Sequence, residues 1–195
     1  MADVKNHRPQ FIDYRKISEA LDYYESRGYE YMEVPWVIDH RSTEITLPAG
    51  REATALQYGD LVGSAEQSFI ELMRRGETIL KACAVTPCFR IEDSYDDLHY
   101  PYFLKCELID TDATDENLHQ MIDDASAFFS QYTEVDIEEI EPDAYDIVDR
   151  KMRIELGSYG IRNCEGKRFI YGTGVALPRL TSVLERNRDN IQVNT

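Results

Sequence analysis

Arg90 and Glu92 alternate with Phe89 and Ile91, and Lys105 and Glu107 alternate with Leu104, Cys106 and Leu108. Alternation with a period of two predicts two half-buried strands. Joined by the polar, aromatic stretch 93–100, they predict an antiparallel hairpin that gathers the four charges and Phe103 on one sheet face. Such a face suits a flat, charged ligand. Arginine grips a carboxylate or phosphate bidentately, and a carboxylate accepts from an amine or coordinates magnesium. An ordinary solvated face has the same pattern, so these charges alone do not decide between the two. No Ser-His-Asp or Cys-His arrangement accompanies them, and chemistry here would run on positioning and electrostatic stabilisation. His7, His40, His99 and His119 lack metal-ligand spacing, and Cys83, Cys88, Cys106 and Cys164 form no CxxC pair. The cysteines read as free thiols, with Cys88 and Cys106 facing inward.

The elements that must position this hairpin are legible on either side of it. Ile17, Leu21 and Tyr24 have helical spacing over 14–27, with Gly28 as the C-terminal stop. An extended stretch follows over 29–38, interrupted by Pro35 as at an edge, bulge or interface. Residues 39–62 read as loops. Ser64-Ala65-Glu66-Gln67 reads as a capping box opening a helix to Arg75. Strands are expected over 78–85, 88–92 and 103–109, then an amphipathic helix over 115–132 and a short strand over 135–140. Further strands are expected over 152–156 and 168–171. Gly172-Thr173-Gly174 reads as a turn into a last helix over 175–187, with Pro178 in its first turn. Together these predict one α+β domain, an antiparallel sheet flanked by helices.

The chain has 195 residues, 43% of them hydrophobic, and a net charge of −16. The hydrophobic content argues for a globular chain, and the acidity argues against a general nucleic-acid or anionic-membrane binder. Residues 92–146 hold 18 acidic residues and one base, Lys105, so the remainder is nearly neutral. No signal-like or membrane-spanning run is read, and cytoplasmic residence is expected.

Order and spacing together resemble the catalytic core of class II aminoacyl-tRNA synthetases, most closely the seryl branch and its freestanding amino-acid-activating paralogues. Arg27-Gly28-Tyr29 with Val34-Pro35 is similar to motif 1, which forms the dimer interface in that family. Cys88-Phe89-Arg90-Ile91-Glu92 and Phe103-Leu104-Lys105-Cys106-Glu107 resemble motif 2, and the segment from Gly172 to Leu180 resembles motif 3. Ser64-Ala65-Glu66 is similar to the seryl TxE loop, and Glu155-Leu156-Gly157-Ser158 to the metal-binding Glu and Ser.

The resemblance implies a role for each of these residues. Arg90 would bridge the amino-acid carboxylate and the ATP α-phosphate. Glu92 would contact adenine, Phe103 would stack on it, and Arg179 would reach the γ-phosphate. Glu155 and Ser158 would hold magnesium, and no zinc is expected, because Ser64 stands where the zinc-using relatives place a cysteine. Ser64, Glu66, Lys105, Glu107 and Thr173 would line the amino-acid pocket, with the carboxylates taking the α-ammonium. A homodimer would form through Gly28, Tyr29, Pro35 and Trp36. The chain is expected to be a single core over 1–195 without a tRNA-binding arm or anticodon-binding domain. Its acidic 93–102 connection offers phosphate only His99 and opposes docking of tRNA. These features imply activation of a small amino acid, serine first, to an aminoacyl-adenylate for a carrier protein or small amine. The alternatives are a non-catalytic paralogue that binds nucleotide or amino acid and regulates a partner, and a tRNA-charging core served by separate tRNA-binding subunits.

Overall fold

A computed structural model describes residues 12–91, 95–96 and 98–192. The expected hairpin is its centre. Strands β5 (Lys81–Phe89) and β6 (Tyr102–Asp110) pair antiparallel, with Thr86 opposite Lys105, Ala84 opposite Glu107 and Cys88 opposite Phe103. The two strands expected at 78–85 and 88–92 are one, running through Pro87. They belong to a seven-stranded sheet that also contains β1 (Glu30–Tyr31), β7 (Val135–Glu141), β8 (Ala144–Asp149), β9 (Glu155–Cys164) and β10 (Lys167–Leu177). The order is β1-β5-β6-β10-β9-β8-β7; β1 runs parallel to β5 and every other pair is antiparallel.

Helices α1 (Tyr14–Ser26), α4 (Asp115–Phe129) and α5 (Arg179–Gln192) cover one face of this sheet. Asp13 caps α1 by accepting from the Arg15 N–H, and Ile17, Ala20 and Tyr24 supply its buried stripe. Gly28 follows the helix at φ +85°, the left-handed conformation that favours glycine at a helix end. Thr114 caps α4, whose Leu118, Met121, Ile122, Ala125, Phe128 and Phe129 are buried. On the other face lies α3 (Ala65–Arg74), with Phe69 and Ile70 packed against Ala82, Ala84, Ile109 and Phe169. The segment 39–62, expected as loops, contains the short helix α2 (His40–Glu44) and strands β3 (Thr54–Leu56) and β4 (Gly59–Leu61). With β2 (Val37–Ile38) these strands form a second sheet in the order β2-β4-β3.

The largest departure from expectation lies in the C-terminal third. Gly172-Thr173-Gly174 is no turn: β10 runs through it to Leu177, with a bulge between Thr173 and Val175. The glycines are there because other side chains press on the strand. A Cβ on Gly172 would sit 2.6 Å from both Met121 Sδ and Tyr159 Cδ1, and one on Gly174 would sit 2.9 Å from Tyr24 Cε2. Tyr24 and Tyr159 donate to the carbonyls of Gly174 (2.9 Å) and Thr173 (2.6 Å), which pins the bulge. The last helix therefore begins at Arg179, and Pro178 precedes it instead of lying in its first turn. Strand β8 has no counterpart among the expected elements, and β9 extends well beyond the expected 152–156. All four cysteines are buried thiols. Among the described residues, no helix is long and apolar enough to cross a membrane.

Candidate active site

Glu107 lies mid-strand in β6 on the face that α3 covers, and it is 5% exposed. Its carboxylate accepts from Ser64 Oγ at 2.6 Å, from the Ala65 N–H, from the Glu66 N–H at 3.3 Å and from Lys105 Nζ at 2.8 Å. The first three donors belong to the start of α3, so a strand residue satisfies the helix's orphaned N–H groups. Burial pushes this carboxyl's pKa up. Lys105, the Ser64 hydroxyl and the Ala65 N–H outweigh burial and hold it below the ordinary value of 4.5. The expected capping box forms only in part: Ser64 accepts from the Glu66 N–H at 3.2 Å, but Gln67 takes the Gly63 N–H at 2.8 Å.

Beside this node, Glu66 pairs with Arg162 of β9 at 2.6 Å. Burial raises the Glu66 pKa and the charge on Glu107 adds to the rise, while Arg162 opposes both. The Arg162 guanidinium also lies 5.0 Å from the Tyr171 ring centroid. Thr173 stands opposite Glu107 in the β10–β6 register, and its hydroxyl accepts from the Ser158 N–H at 3.3 Å.

Toward the end of the hairpin, the Arg90 guanidinium lies 4.9 Å from the Phe103 ring centroid, and its Nε donates to the Gly63 carbonyl at 3.3 Å. Arg179, at the start of α5, donates from Nη1 to Glu155 Oε1 at 3.1 Å. Two cavities meet here. One, of about 260 Å³, is lined by Arg90, His99, Phe103, Pro178 and Arg179. The other, of about 400 Å³, is lined by Ser64, Glu66, Gln67, Glu107, Ser158 and Tyr171 among others. They share Arg90, Lys105, Glu155, Thr173 and Arg179. Every described residue expected in the site thus lines one cavity or the other; Glu92 lies outside the described residues.

Glu155 lines both cavities and Ser158 the larger one, and both offer oxygen to a cation. Asp146 of β8 stands directly opposite Ser158 and shares a side-chain hydrogen bond with it. Burial raises the Asp146 pKa; the Glu155 carboxylate adds to the rise, while Ser158 and Arg179 lower it. Two carboxylates and a hydroxyl fit magnesium, a hard cation that takes its remaining ligands from phosphate and water. Among the described residues no group of three or more His, Cys, Asp or Glu is gathered to hold a metal ion by itself.

Two expectations need correcting. The register puts Cys88 beside Phe103 on the site face, not on the opposite face with Cys106. Residues two apart on a strand share a face, so Cys88 goes with Thr86 and Arg90. Burial, with the charge on Glu107 adding, pushes its thiol pKa to about 12, so it carries no thiolate at neutral pH. Tyr29 was expected at a dimer interface but is 2% exposed, packed edge-on against Tyr24. Of the neighbouring large side chains, Tyr31, Trp36 and Val37 are the exposed ones. Asp146, Arg162 and Tyr171 were not singled out from sequence. The signal for Arg162 was its place two and four residues beyond Gly160 and Ser158, which share its face once a strand is recognised.

No family model matches the chain, and no curated protein matches it by sequence. Solved structures do match it in fold. A pyrrolysyl-tRNA synthetase from Desulfitobacterium hafniense superposes with a TM-score of 0.68 at 16% identity, covering 88% of this chain and 68% of that one. Seryl-tRNA synthetase from Pyrococcus horikoshii, solved with ATP, gives 0.66 at 17% identity over 88% of this chain and 49% of that one. The cytoplasmic serine-tRNA ligase of Naegleria fowleri, solved with AMP, gives 0.64 at 15% identity over 86% and 47%. The chain thus spans about two thirds of the first and about half of the other two. Its mixed, mostly antiparallel sheet and flanking helices share the fold of these synthetase structures.

Proposed function

We propose that this chain activates an amino acid with ATP, forming an aminoacyl-adenylate and releasing pyrophosphate. One observation carries the reading: a cavity with an aromatic wall and two arginines opens into a second cavity with buried carboxylates, and Arg90 and Arg179 line both. Arg90 would hold the amino-acid carboxylate against the α-phosphate and stabilise the charge that builds as the carboxylate oxygen attacks. Phe103 would support the base. Arg179 would turn from Glu155 to the terminal phosphate and free that carboxylate. Glu155, Ser158 and Asp146 would then hold magnesium, which supplies charge neutralisation on the phosphates when bound. With Glu107 occupied by four donors, Glu66 would be the carboxylate that takes the α-ammonium, sharing it with Arg162.

The acceptor we propose is a carrier protein or a small amine. The acid concentrated in residues 92–146 supports this, because the connection between the motif 2-like strands would repel the phosphates of a tRNA. A homodimer would use the exposed Trp36 and Val37 rather than Tyr29. The Arg179–Glu155 ion pair favours one second reading, a non-catalytic relative that binds ligand and regulates a partner, because there the two expected ATP-site groups hold each other.

Amino-acid-dependent ATP–pyrophosphate exchange tests the proposal. Exchange with at least one amino acid, reduced about 100-fold or more in Arg90→Ala without loss of folding, is the expected result. Folded protein that exchanges with none, yet binds ATP or an amino acid by calorimetry, would leave the regulatory reading.

A further inference from the structure

Glu66 meets its counter-ion from outside the cleft. It stands in the first turn of α3 and lines the larger cavity, with a side chain 10% exposed. Arg162 of β9 lines neither cavity, and its Nε donates to Glu66 Oε1 at 2.6 Å. Among the described residues no donor reaches Oε2. Lys105 and Arg179, the partners of Glu107 and Glu155, line that cavity themselves. A cation arriving from the cavity competes with them at those two carboxylates, but it reaches Glu66 with Arg162 still in place. Glu52 also lines the cavity, but it is exposed, and water screens its charge. Arg162 is itself braced. Its guanidinium lies 5.0 Å from the Tyr171 ring centroid, and a Cβ on Gly160 would come within 2.8 Å of Tyr171 Oη. Glycine at 160 thus leaves the ring room to lie across β9 beside the guanidinium.

We infer that Arg162 is a positioning residue for adenylation: from behind the cavity wall it fixes Glu66 to receive the α-ammonium of the amino acid. The inference rests on the adenylation reading and adds to it a residue that touches no substrate. A lone carboxylate this deeply buried favours its neutral form, which attracts an ammonium far less than the ion does. The groups that face Glu66 are Arg162 and Cys164 from β9, Tyr171 from β10, and Lys105 and Glu107 from β6. Burial raises the Glu66 pKa, with Glu107 adding; Arg162 opposes most strongly and Lys105 less. Burial also raises Cys164 and Tyr171 above their ordinary values of 9.0 and 10.0, so both stay uncharged near neutrality. Losing Arg162 removes the main restraint on the rise, and Glu66 then takes up its proton at a higher pH.

The test runs exchange and calorimetry on the whole chain from about pH 5.5 to about pH 8.5, a range that brackets neutrality. The probes are the amino acid that supports the fastest exchange and the same acid without its α-amine. Arg162→Met keeps an unbranched stem beside Tyr171 and removes the charge. It should raise the amino-acid KM about tenfold at the acid end and by less than about threefold at the alkaline end. KM for ATP should not move, and the acid lacking the amine should bind wild type and variant alike. Arg162→Lys, which keeps the charge, should restore most of the acid limb. An ion pair that merely steadied the fold would give neither the pH limb nor the split between substrates. Glu66→Gln supplies a second line: its amino-acid KM should be raised and flat across the acid limb. An Arg162→Met profile parallel to that of wild type overturns the inference, as does a Glu66→Gln profile that still bends. Equal loss of binding with and without the amine overturns it too. If no amino acid supports exchange, the adenylation reading falls, and calorimetry with the common amino acids decides the inference alone. Weaker binding by Arg162→Met on the acid side then keeps it; equal binding or none sinks it.

Discussion

Replacing Glu107 with glutamine perturbs the group that ties the start of helix α3 to strand β6 beneath it. The carboxylate takes four donors, three at a helix N-terminus and one charged, and it is 5% exposed. Glutamine keeps a carbonyl oxygen but turns an NH₂ toward donors that need an acceptor, and it leaves the Lys105 ammonium without its partner. Breaking a buried pair from one side costs about 3–5 kcal/mol, and Lys105 is partly open to water, so about 3 kcal/mol is the expected loss. For a chain of this size that lowers Tm by about 6–12 °C. Urea unfolding of wild type, Glu107→Gln, Lys105→Met and the double variant measures it. The double variant should lose less than the sum of the singles by about 1–2 kcal/mol, because removing both partners removes the unpaired charge. The pH dependence has a definite sign. A carboxyl held below 4.5 in the folded chain stabilises fully above its unfolded value and loses that contribution as pH falls through the folded value. The gap between wild type and Glu107→Gln should therefore be flat near neutrality and close only on strong acidification. A gap below about 0.5 kcal/mol at neutral pH, or one that widens with acid, would refute the assignment of Glu107 as the node.

Asp146→Asn should raise the magnesium concentration needed for half-maximal ATP binding about tenfold. Because burial and Glu155 raise the Asp146 pKa, the native charge opposes folding as pH rises, so the same variant should unfold no earlier than wild type at neutral pH; an unchanged magnesium midpoint argues against the ligand role. Gly172→Ala should lose about 1–3 kcal/mol in urea unfolding, since its Cβ would meet Met121 and Tyr159 at 2.6 Å; a neutral result would mean that β10 shifts freely at its bulge.

The parts of the fold that were legible in sequence are those where one residue period runs uninterrupted. Ile17 to Tyr24 and Leu118 to Phe129 announce helices, and Phe89 to Ile91 with Leu104 to Leu108 announce the hairpin, because burial on one side imposes the period. Glycines mask the extent of β9 and β10. Gly157, Gly160, Gly172 and Gly174 suggest breaks, whereas the strands run through them and the glycines make room for the Tyr159, Tyr171 and Tyr24 rings. Strand β8 is short and bracketed by the acidic run, which hides Ile147 and Val148 as an inward pair. The site residues that were read sit on the legible hairpin or in motif-like segments. Those missed owe their place to contacts between distant elements: Asp146 matters only because it faces Ser158, and Arg162 because it reaches Glu66 in the first turn of α3.

Glu107 lines the cleft and also terminates a helix, so the cleft's residues differ in how freely they can change. A substitution at Glu107 that altered the ligand accepted would loosen the start of α3 in the same step, and most such variants would be lost through instability before any new preference was tested. Thr43 and Thr46 line the same cleft while their hydroxyls hold nothing in place. Exchanging them for residues of like shape breaks no hydrogen bond of their side chains and should cost little in folding. Divergence of substrate among relatives of this chain, and any laboratory effort to redirect it, should run through positions of this kind that line the cleft, where α2 and the turn after it border it, and leave Glu107 alone.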